Sequence, residues 1–142
     1  MFADTLLDAE RQHLLRLLLW AGLSVLAGTL VLVMLAARRS RSPLLTHFAI
    51  QMAGWGVVVG AIAAVGWRGL HLRDLSGAAR LERLLWLNIG LDIGYVGVGL
   101  ALAIAGRALA RRMSVVGAGA GIVVQGVALL LIDLQFAALV SR

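Results

Sequence analysis

Leu84-Leu-Trp-Leu-Asn88-Ile-Gly-Leu-Asp92-Ile-Gly-Tyr95-Val-Gly-Val-Gly99-Leu-Ala-Leu-Ala-Ile-Ala-Gly106 is an apolar run held between Arg83 and Arg107. As a helix rising about 1.5 Å per residue, it is long enough to cross a hydrocarbon core roughly 30 Å thick. Its one charge, Asp92, is out of place. A carboxyl at the middle of a membrane helix costs about 2.5 to 3.5 kcal/mol on insertion scales, so it implies a functional or packing role and a partner.

Three more runs of similar character lie on either side: Leu17 to Ala37, Leu44 to Trp67 and Ser114 to Val140. Hydrophobic residues make up 61% of the chain and charged residues 14%, a balance that suits lipid as the solvent and not water. The predicted fold is all-α, a single domain over residues 1–142 built as an antiparallel bundle of four transmembrane helices. The first run follows Asp4, Asp8 and Glu10 and ends at Arg38-Arg39-Ser40-Arg41 without a small-residue cleavage pattern, so it reads as a span and not as a removable signal. Between the second and third runs, Asp74 or Ser76 is placed to cap a helix that continues through Leu81 into the third span.

The net charge of +6 comes from 13 arginines with no lysine. They gather at span ends, where anionic headgroups are the nearer counter-ions, so membrane lipids are the expected partners and nucleic acid is not. A composition rich in Ala, Leu, Gly and Arg suggests a high-GC bacterial genome and hence the bacterial cytoplasmic (inner) membrane. Six arginines lie in the first and third loops against seven on the opposite side. Those loops are short and carry no acid, which favours both termini outside.

On the third span Asn88, Asp92, Tyr95 and Gly99 fall within about 60° of one another, forming a polar stripe. Gly90, Gly94 and Gly97 gather on the opposite side as a small-residue face for close helix contact. The second span repeats the design, with His47, Gln51 and Trp55 on one face and Gly56 and Gly60 on the other. The fourth adds Gln125 and Asp133, with Gly117 and Gly121 as packing positions. Asp92 and Asp133 enter from the same side at matching depth, so the two acids could share a proton or hold a cation. The competing reading is a protonated Asp92 hydrogen-bonded to Asn88, Tyr95 or a neighbouring carbonyl, fixing helix register.

Trp20, Trp67 and Trp86 fall where three spans meet one surface and read as interface anchors. Trp55 sits near mid-span and needs an acceptor for its indole N–H. Of His13, His47 and His71, only His47 is placed inside a span, on the side opposite the other two, which excludes a bis-histidine haem within one chain. With no cysteine, disulfides and thiolate metal sites are excluded as well. No nucleophile with a base, metal-ligand set or phosphate loop appears, so neither catalysis nor a cofactor is expected. A weak duplication emerges at an offset of about 65 residues, relating Arg16-Leu-Leu-Leu-Trp20 to Arg83-Leu-Leu-Trp86 and Gly54-x-Gly56 to Gly119-x-Gly121. It would make 1–67 and 68–142 parallel repeats.

The strings Arg80-Leu-Glu-Arg-Leu-Leu-Trp-Leu-Asn88-Ile-Gly90-Leu-Asp92-Ile-Gly94-Tyr95 and Val124-Gln125-Gly126-Val-Ala-Leu-Leu-Leu-Ile-Asp133, with His47-Phe-Ala-Ile-Gln51 and Trp55, resemble an uncharacterised family of small bacterial four-helix membrane proteins. The resemblance implies a four-span fold and marks Asn88, Asp92, Tyr95, Gln125 and Asp133 without assigning them an activity. The expected function is a non-catalytic accessory subunit, bound to other transmembrane subunits of a larger, energy-transducing complex. The alternatives are a small proton- or ion-coupled carrier using Asp92 and Asp133, and a quinone- or pigment-binding module near Trp55 and His47.

Overall fold

A computed structural model describes residues 2–109 and 111–140. It contains four helices and, among the described residues, no strand: α1 (Phe2–Ala37), α2 (Pro43–Arg68), α3 (Leu75–Ala108) and α4 (Met113–Val140). All four are long and apolar enough to cross a membrane. The chain is an all-α, four-helix membrane protein.

The helix boundaries follow local chemistry. Ser42 caps α2, accepting from the Leu45 amide, and Pro43 opens the helix where its missing N–H costs nothing. Asp74 caps α3, taking the Gly77 amide at 2.7 Å, as one of the two sequence candidates requires. At the end of α1 the Ser40 amide reaches back to Leu35 O and Arg39 N to Ala36 O, with Arg39 at φ 50°. This is the left-handed helix stop that glycine usually supplies, here made by a residue that also leaves a charge at the boundary.

α1 and α3 both start earlier than their apolar runs. The acidic N-terminal residues that precede the first apolar run belong to α1: Leu6 is 5% exposed and Glu10 6%. Glu10 is buried because Arg73, in the α2–α3 connection, meets it in a two-pronged pair, Nη2 to Oε1 at 2.6 Å and Nε to Oε2 at 3.0 Å. The carboxylate hydrogen bond holds the Arg73 guanidinium above its ordinary pKa. Asp74 is held below its ordinary value, chiefly by the Gly77 amide and then by the Ser76 hydroxyl.

α1 packs along α2 and α3 along α4, while α4 also lies against α2 and, more narrowly, α1. Small residues set these contacts. A Cβ on Gly28 would meet Ala49 O at 2.6 Å and Ala53 N at 2.7 Å. One on Gly99 would meet Gly119 O and Val123 N, each at 2.8 Å. Gly56 and Gly60 do face α1 as their spacing suggests, and Gly117 and Gly121 fit against the Leu44 backbone and the Gln51 side chain. Gly90, Gly94 and Gly97 do not pack within the chain: nothing lies within 4 Å of a Cβ placed on any of them. The small-residue face that α3 uses is the stripe side, through Gly99 and Gly106. The large aliphatics point outward, with Leu19 68%, Val65 70% and Ile104 66% exposed, as in a bundle whose exterior is solvated by lipid tails.

Candidate functional site

The polar interior divides into two separate places. The first is centred on Gln125 of α4, which is 1% exposed. Its Oε1 accepts from Trp20 Nε1 at 2.7 Å, while its Nε2 donates to Ser24 Oγ at 3.1 Å and Met52 O at 3.4 Å. One amide thus joins α1, α2 and α4, satisfying polar groups that lipid could not. Trp20, expected at the headgroups, is instead an internal hydrogen-bond donor. Gln125, grouped in sequence with the two acids, is a packing node apart from them. Trp67 and Trp86, 38% and 57% exposed, do face outward.

The second place is a cavity of 290 Å³ between α2 and α3, whose lining includes α4 and α1 residues. Asn88, Asp92 and Tyr95 line it from α3, Asp133 from α4, Trp55 from α2 and His13 from α1. Ile62 and Leu91, also in the lining, are 63% and 53% exposed, so the cavity opens sideways through the gap between α2 and α3.

Asp92 is 6% exposed, and its Oδ2 is buried with no hydrogen-bond partner. Among the described residues no hydrogen bond joins it to Asn88 or Tyr95, so the register-fixing role expected of a bonded Asp92 is not what this geometry provides. Asp133, 5% exposed, lies with Oδ1 3.6 Å from His13 Nε2. The His13 ring stacks on Phe136 with centroids 4.4 Å apart and planes 16° from parallel. Trp55 and Tyr95 meet across the gap at 5.0 Å, tilted by 55°.

Sequence reasoning missed His13, having placed it outside the membrane because the apolar run begins at Leu17. The signal was the helical spacing of Leu6, Glu10, His13 and Leu17, which continues the buried face of α1 back towards its start. The proposed face of His47, Gln51 and Trp55 is not a single site: His47 is exposed and bonds Pro43 O at 2.9 Å, Gln51 packs at Gly121, and only Trp55 reaches the cavity. Among the described residues no group of three His, Cys, Asp or Glu could hold a metal ion.

The fold and site define a small multi-span membrane protein with two carboxyl residues lining a cavity that opens to its side. Residues 16–134 match the model of a family of unknown function, DUF6992, and the chain belongs to that family. No curated protein and no solved structure matches it.

Proposed function

We propose that the chain is a small proton- or ion-coupled carrier, non-catalytic, with Asp92 and Asp133 as its working pair, acting in the bacterial cytoplasmic membrane. The observation that carries this reading is the meeting of Asp92 and Asp133, from different helices, in one cavity where Asp92 Oδ2 has no partner. A polar group kept for helix cohesion gains by bonding, as the Gln125 amide does. A carboxyl that reaches a cavity wall with no hydrogen bond to hold it is available to a proton or a cation. His13, close to Asp133, supplies a third group able to exchange protons.

The test is reconstitution into liposomes loaded with a pH-sensitive dye, under an imposed pH or cation gradient. Wild-type protein should move protons or cations faster than empty vesicles do, and Asp92→Asn with Asp133→Asn should abolish the difference while helicity is retained. Wild-type flux equal to that of empty vesicles, or full flux in the double variant, would refute the carrier reading.

A second reading, the accessory subunit bound to other transmembrane subunits of an energy-transducing complex, draws on the bare α3 face of Gly90, Gly94 and Gly97. There a partner helix could approach as closely as α4 does on the other side. Purification in gentle detergent from the native membrane tests it: co-migrating membrane subunits support it, and a solitary chain eliminates it. A quinone- or pigment-binding module retains Trp55 but loses His47, which is not among the cavity residues.

A further inference from the structure

Asp92 lines the cavity with its Oδ2 enclosed and unbonded, so a cavity ligand meets the carboxyl group from its lining side. An ionised carboxylate has no proton to give and carries a full charge, so what complements it is a cation, with or without an N–H to donate, and a low-dielectric setting strengthens that attraction. Asp133 adds a second acid to the same lining and faces His13 Nε2 at 3.6 Å, whereas Asp92 has no such basic neighbour among the lining residues. Arg16, one turn along α1 from His13, lies outside the lining with its Nη1 buried and unbonded.

The remaining walls suit the body of the ligand. Leu17, Val59 and Leu129 are apolar, and the tilted Trp55–Tyr95 pair sets indole and phenol rings at the cavity. Indole and phenol faces attract cations, the more so when water is excluded. At 290 Å³ the space is at the low end of small-molecule sites, which run from about 300 to 1,000 Å³. The sideways opening suits a molecule that arrives dissolved in the membrane. A bare metal ion suits it less, since no three-ligand group is present among the described residues.

From these observations we infer that the α2–α3 cavity binds a small lipophilic organic cation, an amine or quaternary ammonium on an apolar body, with Asp92 as counter-ion and Trp55 and Tyr95 as its aromatic wall. The inference rests on the carrier reading and names its substrate class. Fatty acids and other anions are disfavoured by the two carboxyls. Neutral apolar molecules would fill the walls but leave the Asp92 carboxylate without a counter-charge.

The test uses purified full-length protein in detergent, titrated calorimetrically with benzyltrimethylammonium and, separately, with neopentylbenzene, its uncharged isostere. The cation should bind in a saturable 1:1 fashion and at least tenfold more tightly than the isostere. Asp92→Asn should weaken the cation at least tenfold, Asp92→Glu should restore part of the loss, and Trp55→Phe should weaken it less than Trp55→Ala. Circular dichroism and gel filtration identify any variant that fails to fold, and Asp92→Glu keeps the test decisive if Asp92→Asn is one. Equal affinity for the cation and its isostere would overturn the substrate class, as would unchanged cation affinity in a folded Asp92→Asn protein. Absence of cation binding alongside carboxyl-dependent proton flux in liposomes would overturn the class while leaving the carrier. Absence of both would overturn the carrier as well.

Discussion

Two glycine-to-alanine changes five residues apart on α3 should have opposite effects. In Gly99→Ala the new methyl would sit 2.8 Å from Gly119 O, Val123 N and Val123 Cγ2. Two of these are backbone atoms that no rotamer change can move, so α3 and α4 must separate by several tenths of an ångström along their shared seam. Overpacking of this kind costs about 1 to 3 kcal/mol, against a helix-propensity gain of up to about 1 kcal/mol, so a net loss of up to about 2 kcal/mol remains once the full gain is subtracted. In Gly94→Ala nothing lies within 4 Å of the methyl. Only the propensity gain remains, and the isolated chain should be unchanged or stabilised by up to about 1 kcal/mol. The measurement is loss of helicity by circular dichroism as sodium dodecyl sulfate is titrated into mixed micelles. Equal destabilisation by the two changes, or no cost for Gly99→Ala, would refute the assignment of the packing face. A bulkier Gly94→Leu should leave the purified chain folded; if it strips away subunits that co-purify from native membranes, the bare face is their docking side.

Around Gln125, the Trp20→Phe and Gln125→Leu single and double changes should yield a coupling of about 1 kcal/mol in the same titration, since hydrogen bonds within membranes average about 0.6 and reach about 1.7 kcal/mol; strict additivity would mean that the 2.7 Å contact contributes nothing. Glu10→Gln leaves the part-buried Arg73 guanidinium without its counter-charge and should cost about 1 to 2 kcal/mol, measurable also as faster proteolysis of the α2–α3 connection. Asp74 is held below its ordinary value of 3.8, so its cap contributes above that pH and is lost as pH falls through the lower folded-state value. Asp74→Asn, which caps without ionising, should flatten this dependence, and an identical pH profile for the two proteins would show that the cap does not titrate.

The helices were legible because their signals are local. Hydropathy contrast set the spans, and Asp74 marked the start of α3. What escaped was which face meets which neighbour. Gly90 and Gly94 on one side of α3 and Gly99 and Gly106 on another are equally good small-residue surfaces by spacing, and only the position of α4 selects the second pair. Trp20 resembles Trp67 and Trp86 because all three lie near the ends of apolar runs; its partner is 105 residues away. His13 escaped because hydropathy begins at Leu17 while the helix does not. The matched strings around Gly54 and Gly119 also have unlike surroundings, Gly54 having nothing within 4 Å and Gly119 lying against Gly99 O. The cavity acids were visible as anomalies, but their shared chamber depends on a gap between α2 and α3 that no periodicity encodes.

The position of α4 has a consequence for biogenesis. It is the last of the four helices to be synthesised, yet the other three all lean on it, and α3 has it as its principal neighbour. Until α4 enters the bilayer, the Trp20 indole lacks its acceptor and the seam of α3 lies open to lipid. A nascent chain halted before Met113 would therefore carry the marks by which membrane quality control recognises an orphan. Arrival of Gln125 and Gly119 would end that interval, making the final insertion the step that commits the chain to its fold.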